Sequence, residues 1–206
     1  GLNRLGEPGE PVATFRASED DSWSLANDIV NLVTEDPAGN LWVASHGGLQ
    51  RFDRETETFE LWGRDVYQEA PLSDEIIYGV MVDSDGRYWI GTYNNGVDRY
   101  DPETGEMVNF RNDPGDPTSL SDNLIYDILE DHRGTVWIAT NAGLNRHVSD
   151  QKGFIRYLHD PDTPGSLPAN TVRQLFEDSR NRLWITMVSG GVAMFERETQ
   201  RFFHYS

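Results

Sequence analysis

The sequence predicts an all-β chain folded as a β-propeller, and three observations carry that prediction. First, one phrase recurs: "EDPAGNLWVAS" at Glu35, "VDSDGRYWIGT" at Val82, "EDHRGTVWIAT" at Glu130 and "EDSRNRLWITM" at Glu177. Second, other columns keep the same step of 47 or 48 residues that separates Trp42, Trp89, Trp137 and Trp184. Leu25, Leu72, Leu120 and Leu167 open the units, and Asp36, Asp83, Asp131 and Asp178 lie six residues before each Trp. Third, nothing between units resembles the amphipathic helix that a parallel crossover needs. Antiparallel four-stranded units at a fixed period of about 40 to 50 residues are propeller blades.

Each unit reads as four strands. Strand a is "DIVNLVTED" (Asp28 to Asp36) and its counterparts, rich in apolar and β-branched residues. A tight turn follows, with Gly39, Gly86 or Gly134 where positive φ is cheap, and Asn181 in the last unit. Strand b holds the Trp; strand c follows a glycine-bearing turn as "GLQRFD", "GVDRYD", "GLNRHV" or "GVAMFE". Strand d is "TFELW", "MVNFR", "FIRYL" or "RFFHY", after polar turns such as "PETGE". Pro/Asp/Ser-rich linkers such as "NDPGDPTSLSDN" lead from d to the next a. One period before Gly48 falls on Gly1, and "GLNRL" fits that column, so residues 1–16 are expected to be the last two strands of a preceding blade. Blades are expected at 25–62, 72–111, 120–157 and 167–205. The start inside a blade leads us to expect a piece of a longer protein.

Composition narrows the function classes. A 37% hydrophobic and 25% charged content suits a folded chain rather than a disordered one. No run approaches the eighteen or so apolar residues of a membrane span. A net charge of −18 repels phosphate backbones and anionic lipid, which argues against nucleic acid and against membrane contact by this segment. That acidity reads as solubility, with an acidic docking face as the alternative. The lack of cysteine removes disulfides, thiol chemistry and Cys-ligated metals.

At these residues the chain resembles the two-component regulator propeller repeat: a Leu-Ser/Pro opening, an apolar strand, Asp-x-x-Gly-x-x-Trp-Ile-Gly-Thr, then Gly-Gly-Leu-x-Arg. Leu120, Ser121, Asp131, Gly134, Trp137, Ile138, Thr140, Gly143, Leu144 and Arg146 follow it in the third unit. The last unit departs from it, with Asn181 for Gly and Ala193-Met194 for the x-Arg pair. The resemblance implies a sensory, periplasmic propeller in an inner-membrane receptor, a hybrid histidine kinase or a diguanylate cyclase. It also implies rings commonly of seven blades, so that these four and a half blades belong to a larger propeller, and possible homodimers through the full receptor.

Catalytic residues and cofactors are not expected. The five histidines share no metal-binding spacing, and His132 and His159 read as solvated loop residues. The recurring Asp caps its own turn by accepting backbone N–H groups two residues on, and the Trp fills space between blades. "DSDG" (Asp83 to Gly86) lacks the other oxygen ligands of a calcium loop. Binding is expected where the repeat varies. Early in strand a, one column reads Asn31, Tyr78, Tyr126 and Arg173 beside the near-constant Val30, Ile77, Ile125 and Val172. The b–c turns add His46, Tyr93, Asn94, Asn95, Asn141 and Ser189. Tyr stacks on sugar-like faces and Arg pairs with carboxylates, so the set suits a small polar ligand such as an oligosaccharide, a peptide or an organic acid. The alternatives are that these residues merely pack blades or face water, that the propeller is a protein-contact or dimerisation scaffold, and, more remotely, that it is a lyase or hydrolase.

Overall fold

The computed structural model describes residues 1–206 except Glu7, Pro8, Glu10, Gln151 and Ser206. Three of these fall inside the 1–16 stretch assigned to a preceding blade, and that part of the expectation lies outside the described residues. Eighteen strands and no helix occupy the described residues. β1 (Leu2–Arg4) and β2 (Ala13–Phe15) pair with each other. Four antiparallel sheets follow, each in simple meander order. They are β3 (Val30–Glu35) to β6 (Thr58–Leu61), β7 (Ile77–Val82) to β10 (Glu106–Phe110), β11 (Ile125–Glu130) to β14 (Gly153–Tyr157), and β15 (Val172–Glu177) to β18 (Arg201–Tyr205). Between these ends run β4 (Leu41–Ser45) and β5 (Gly48–Asp53), β8 (Tyr88–Thr92) and β9 (Val97–Asp101), β12 (Val136–Thr140) and β13 (Gly143–Ser149), and β16 (Leu183–Met187) and β17 (Val192–Glu196). The first strands β3, β7, β11 and β15 lie against one another in sequence, so the sheets fan out from a shared inner wall.

The core sits between sheets, as the tryptophans require. Trp42 packs with Ile77, Val80, Tyr88 and Ile90 of the second sheet. Trp89 packs with Ile125, Ile128, Val136 and Ile138 of the third, and Trp137 with Leu175, Leu183, Ile185 and Phe195 of the fourth. All three indoles are at most 2% exposed. Burying a side chain of that size removes apolar surface worth about 3 kcal/mol from water. The small column Ala44, Gly91 and Ala139 lets the next sheet come close: a Cβ on Gly91 would meet Ile125 Cγ2 at 2.6 Å.

Each indole nitrogen is also spoken for. Trp Nε1 donates to the recurring Asp Oδ2 at 2.9, 2.8, 2.9 and 2.9 Å in the four blades. The other oxygen, Oδ1, accepts the backbone N–H groups two and four residues on; for Asp131 these are Arg133 at 2.9 Å and Thr135 at 3.0 Å. The turn capping expected from sequence is therefore present, and the six-residue spacing to Trp has its own cause. Burial alone would push Asp36 and Asp131 up, but the bonds from Trp and backbone outweigh it and hold both carboxyls below the usual range.

The linkers cover the outer strands. Phe59, Phe154 and Phe202 donate their N–H groups to Trp23, Thr118 and Gly165 of the incoming linker, at 2.8, 2.7 and 2.8 Å. This pairing protects an edge that would otherwise template association. The two loop histidines are exposed, as expected, and each also has a partner. His132 Nδ1 lies 2.8 Å from Glu177 Oε1 of the next blade, and His159 Nδ1 lies 2.7 Å from Leu167 O. Both turns abut a neighbouring segment, so a ring that sequence places in solvent finds a partner.

Candidate functional site

The inner wall carries a repeated irregularity. In every blade the pairing of strand a with strand b slips by one residue near its start: between Val30 and Leu32, Ile77 and Gly79, Ile125 and Asp127, and Val172 and Gln174. The residues left out of register are Asn31, Tyr78, Tyr126 and Arg173. A β-bulge frees one residue from the ladder and re-aims its side chain. The variable column of the sequence is thus the bulge column of the structure. The flanking Ile77, Ile125 and Val172 are fully buried against neighbouring strands and hold the bulge in place.

These side chains meet across blades. His46 and Tyr78 have ring centroids 6.3 Å apart, Tyr78 and Tyr93 5.9 Å with planes 18° apart, and Tyr78 and Tyr126 5.9 Å edge to face. The Arg173 guanidinium sits over the Tyr126 ring at 4.2 Å. Five of the ten predicted residues therefore form one ladder spanning all four blades. The b–c turns are pinned to it by backbone bonds: His46 N–H donates to Ile29 O at 3.1 Å, and Tyr93 N–H to Ile76 O at 3.0 Å. Among the described residues the hydroxyls of Tyr78, Tyr93 and Tyr126 make no hydrogen bond.

The other five are placed differently. Asn31 uses its amide between blades, Nδ2 donating to Ile77 O at 2.8 Å. Asn95 Nδ2 donates to Ser73 O at 2.8 Å, and Asn94 N–H donates to Asp74 Oδ2 at 3.0 Å. Asn141 donates its N–H to Leu124 O and accepts from Thr171 Oγ1. Ser189 is exposed in its turn. A cleft of about 630 Å³ opens beside Gly47 and Asn95, lined also by Arg64, Pro71, Asp74 and Glu75.

Two features were missed from sequence. Asp127 follows the bulged Tyr126 and bridges blades, Oδ2 accepting from Leu175 N–H at 2.8 Å and Oδ1 from Ile128 N–H at 2.9 Å. Burial pushes its carboxyl up to about 6 against the pull of those two bonds. Its column reads Leu32, Gly79, Asp127 and Gln174, with no repeat to flag it. The second feature is the third residue of strand c. Gln50, Asp98 and Asn145 accept the linker N–H of Ala26, Ser73 and Ser121 at 2.7, 2.7 and 2.9 Å. In the last blade that linker residue is Pro168, which has no N–H, and the acceptor is Ala193. The departure at Ala193 is thus a matched change, and the pairing of the two columns was a signal available in the sequence.

Comparison with known proteins bears on the fold and the repeat. Residues 71–94, 119–142 and 166–188 match the family described as two component regulator propeller. No curated protein matches the chain. Among solved structures, the extracellular domain assigned to a hybrid two component system of B. thetaiotaomicron is 23% identical with a TM-score of 0.71, over 88% of this chain and 25% of that one. Virginiamycin B lyase from Staphylococcus aureus is 14% identical with a TM-score of 0.66, over 99% of this chain and 62% of the lyase. This chain therefore spans a quarter of the first structure and under two thirds of the second, and both likenesses establish the fold. The chain folds as a β-propeller, and three of its segments match the two component regulator propeller repeat.

Proposed function

We propose that this chain is the ligand-sensing segment of the extracytoplasmic part of a membrane-bound signalling receptor, a two component sensor or a diguanylate cyclase. It performs no catalysis itself. It recognises a small polar ligand on the bulge ladder and biases the receptor between signalling states. The supporting observation is the ladder in a chain of regulator propeller repeats: polar and aromatic groups, unlike from blade to blade, are re-aimed by a bulge that every blade keeps. Titrating the intact extracytoplasmic part with glycans and metabolites should raise its melting temperature for one chemical class.

A second reading, a protein-contact or dimerisation scaffold, is favoured by the last sheet. Its free face exposes Phe176, Val188, Phe203 and Tyr205. A flat response to every compound with persistent dimers would support that reading instead. A lyase stands third, prompted by the fold it shares with virginiamycin B lyase. Such chemistry would need a His–carboxylate pair at the ladder, where His46 faces Tyr78.

A further inference from the structure

We infer that the ligand of the bulge ladder is an anion carried on a ring, its carboxylate held by Arg173 and its ring face by Tyr78 and Tyr126. This deepens the sensing role proposed above and rests on it. The first argument is Arg173 itself. It is exposed, and among the described residues it makes no ion pair and no hydrogen bond; its one partner is the face of Tyr126 at 4.2 Å. A guanidinium over an aromatic ring uses its π face there and keeps its in-plane N–H groups available for another partner. That arrangement presents a planar fork matched to the two oxygens of a carboxylate.

The second argument is charge placement. The chain holds 35 Asp and Glu residues, yet none occurs among the four bulge residues or the six turn residues grouped with them. The acids that flank this end are engaged. Asp74 accepts from Ile76 and Asn94, Asp122 accepts from Leu124, and Asp28 pairs with Arg16. Asp127, next to Tyr126, has one oxygen on each of two backbone N–H groups, one of them two residues beyond Arg173. Glu75 is the exposed acid left at this rim. In a protein of charge −18, a free guanidinium whose neighbouring acids, Glu75 apart, already accept hydrogen bonds or pair with a cation favours an anionic ligand.

The third argument concerns the ring. Tyr78 and Tyr126 meet at 79°, so their faces form two walls of a corner, and their hydroxyls are without protein partners among the described residues. A flat or ring-shaped body fits such a corner and leaves hydroxyls to meet its polar edge.

The test is calorimetric titration of the intact protein with two matched pairs: glucuronate against glucose, and 4-hydroxybenzoate against 4-hydroxybenzyl alcohol. The charged member of at least one pair should bind about tenfold or more tightly than its neutral partner. Arg173→Gln should bring the two together, Arg173→Lys should restore part of the gap, and Tyr126→Ala should weaken both members. Circular dichroism and melting temperature show whether each variant is folded. Equal binding of charged and neutral members, lost in Tyr126→Ala but unmoved by Arg173→Gln, overturns the anion class and leaves the sensing site standing. Binding that ignores both substitutions overturns the class and the site together. Failure of all four compounds to bind at about 10 mM overturns the inference, while the wider compound screen still decides the sensing role.

Discussion

The two ends of each inner strand follow opposite rules. At the far end, the Asp-x-x-Gly turn, with Asn181 for Gly in the last blade, is built four times in the same way: one carboxylate takes an indole N–H and two backbone N–H groups. At the near end, the bulge is kept in all four blades but its side chain is Asn, Tyr, Tyr and then Arg. Where the repeat is constant, the polar groups satisfy one another and nothing remains to recognise a ligand. Where it varies, hydroxyls and a guanidinium are left unsatisfied around a backbone that does not change. Constancy here marks stability, and on the sensing role proposed above the variation on a fixed bulge marks recognition.

The largest test of this contrast is Asp131→Ala. It strands Trp137 Nε1 and two backbone N–H groups and removes the buried partner of Arg197 at 3.1 Å. We expect a loss of about 3–5 kcal/mol in urea unfolding. The same change at Asp178 should cost clearly less, because Trp184 is partly exposed.

Next in size is a pH effect at Asp127. Its folded carboxyl titrates at about 6, above its ordinary 3.8, so the folded chain binds that proton more tightly than the unfolded chain does. The stabilisation is complete below the ordinary value and is lost as pH rises through about 6. Asp127→Asn keeps an acceptor for Leu175 N–H and should flatten stability between pH 4 and 7 by about 2 kcal/mol relative to the parent. An unchanged slope would mean that the carboxyl is freely solvated.

A smaller effect concerns the linker. Asn145→Ala leaves the Ser121 N–H without its acceptor, at a cost of about 1–3 kcal/mol. Ser121→Pro copies the last blade by deleting that N–H, so the double variant should recover at least about 1 kcal/mol relative to the sum of the singles. Smallest of all, Tyr126→Ala should change stability by no more than about 1 kcal/mol, since its ring is partly exposed and its hydroxyl makes no hydrogen bond among the described residues.

Much of this was legible in the sequence because repetition turns single residues into columns. The four-strand order of each blade, the capping role of Asp36 and its counterparts, and the inter-blade seat of Trp42, Trp89 and Trp137 follow from period, turn chemistry and side-chain volume. The column Asn31, Tyr78, Tyr126 and Arg173 was visible as a break in constancy. Its bulge was not, because a one-residue slip leaves no mark on residue type when apolar neighbours continue on both sides. Contacts that join one blade to the next across the period were equally hidden. His132 to Glu177 and Asp127 to Leu175 span 45 and 48 residues and depend on how two sheets are set beside each other. The same holds for Asn31, whose amide is drawn to Ile77 O, 46 residues on.

The most direct test of the central claim is hydrogen–deuterium exchange on the intact protein with and without saturating glucuronate or 4-hydroxybenzoate. Slowed exchange confined to residues 29–32, 76–79, 124–127 and 171–174 and to the turns at 46 and 93 is the result predicted here. Protection centred instead on the Asp-x-x-Gly turns at 36–41, 83–88, 131–136 and 178–183, with the bulges unchanged, would contradict it.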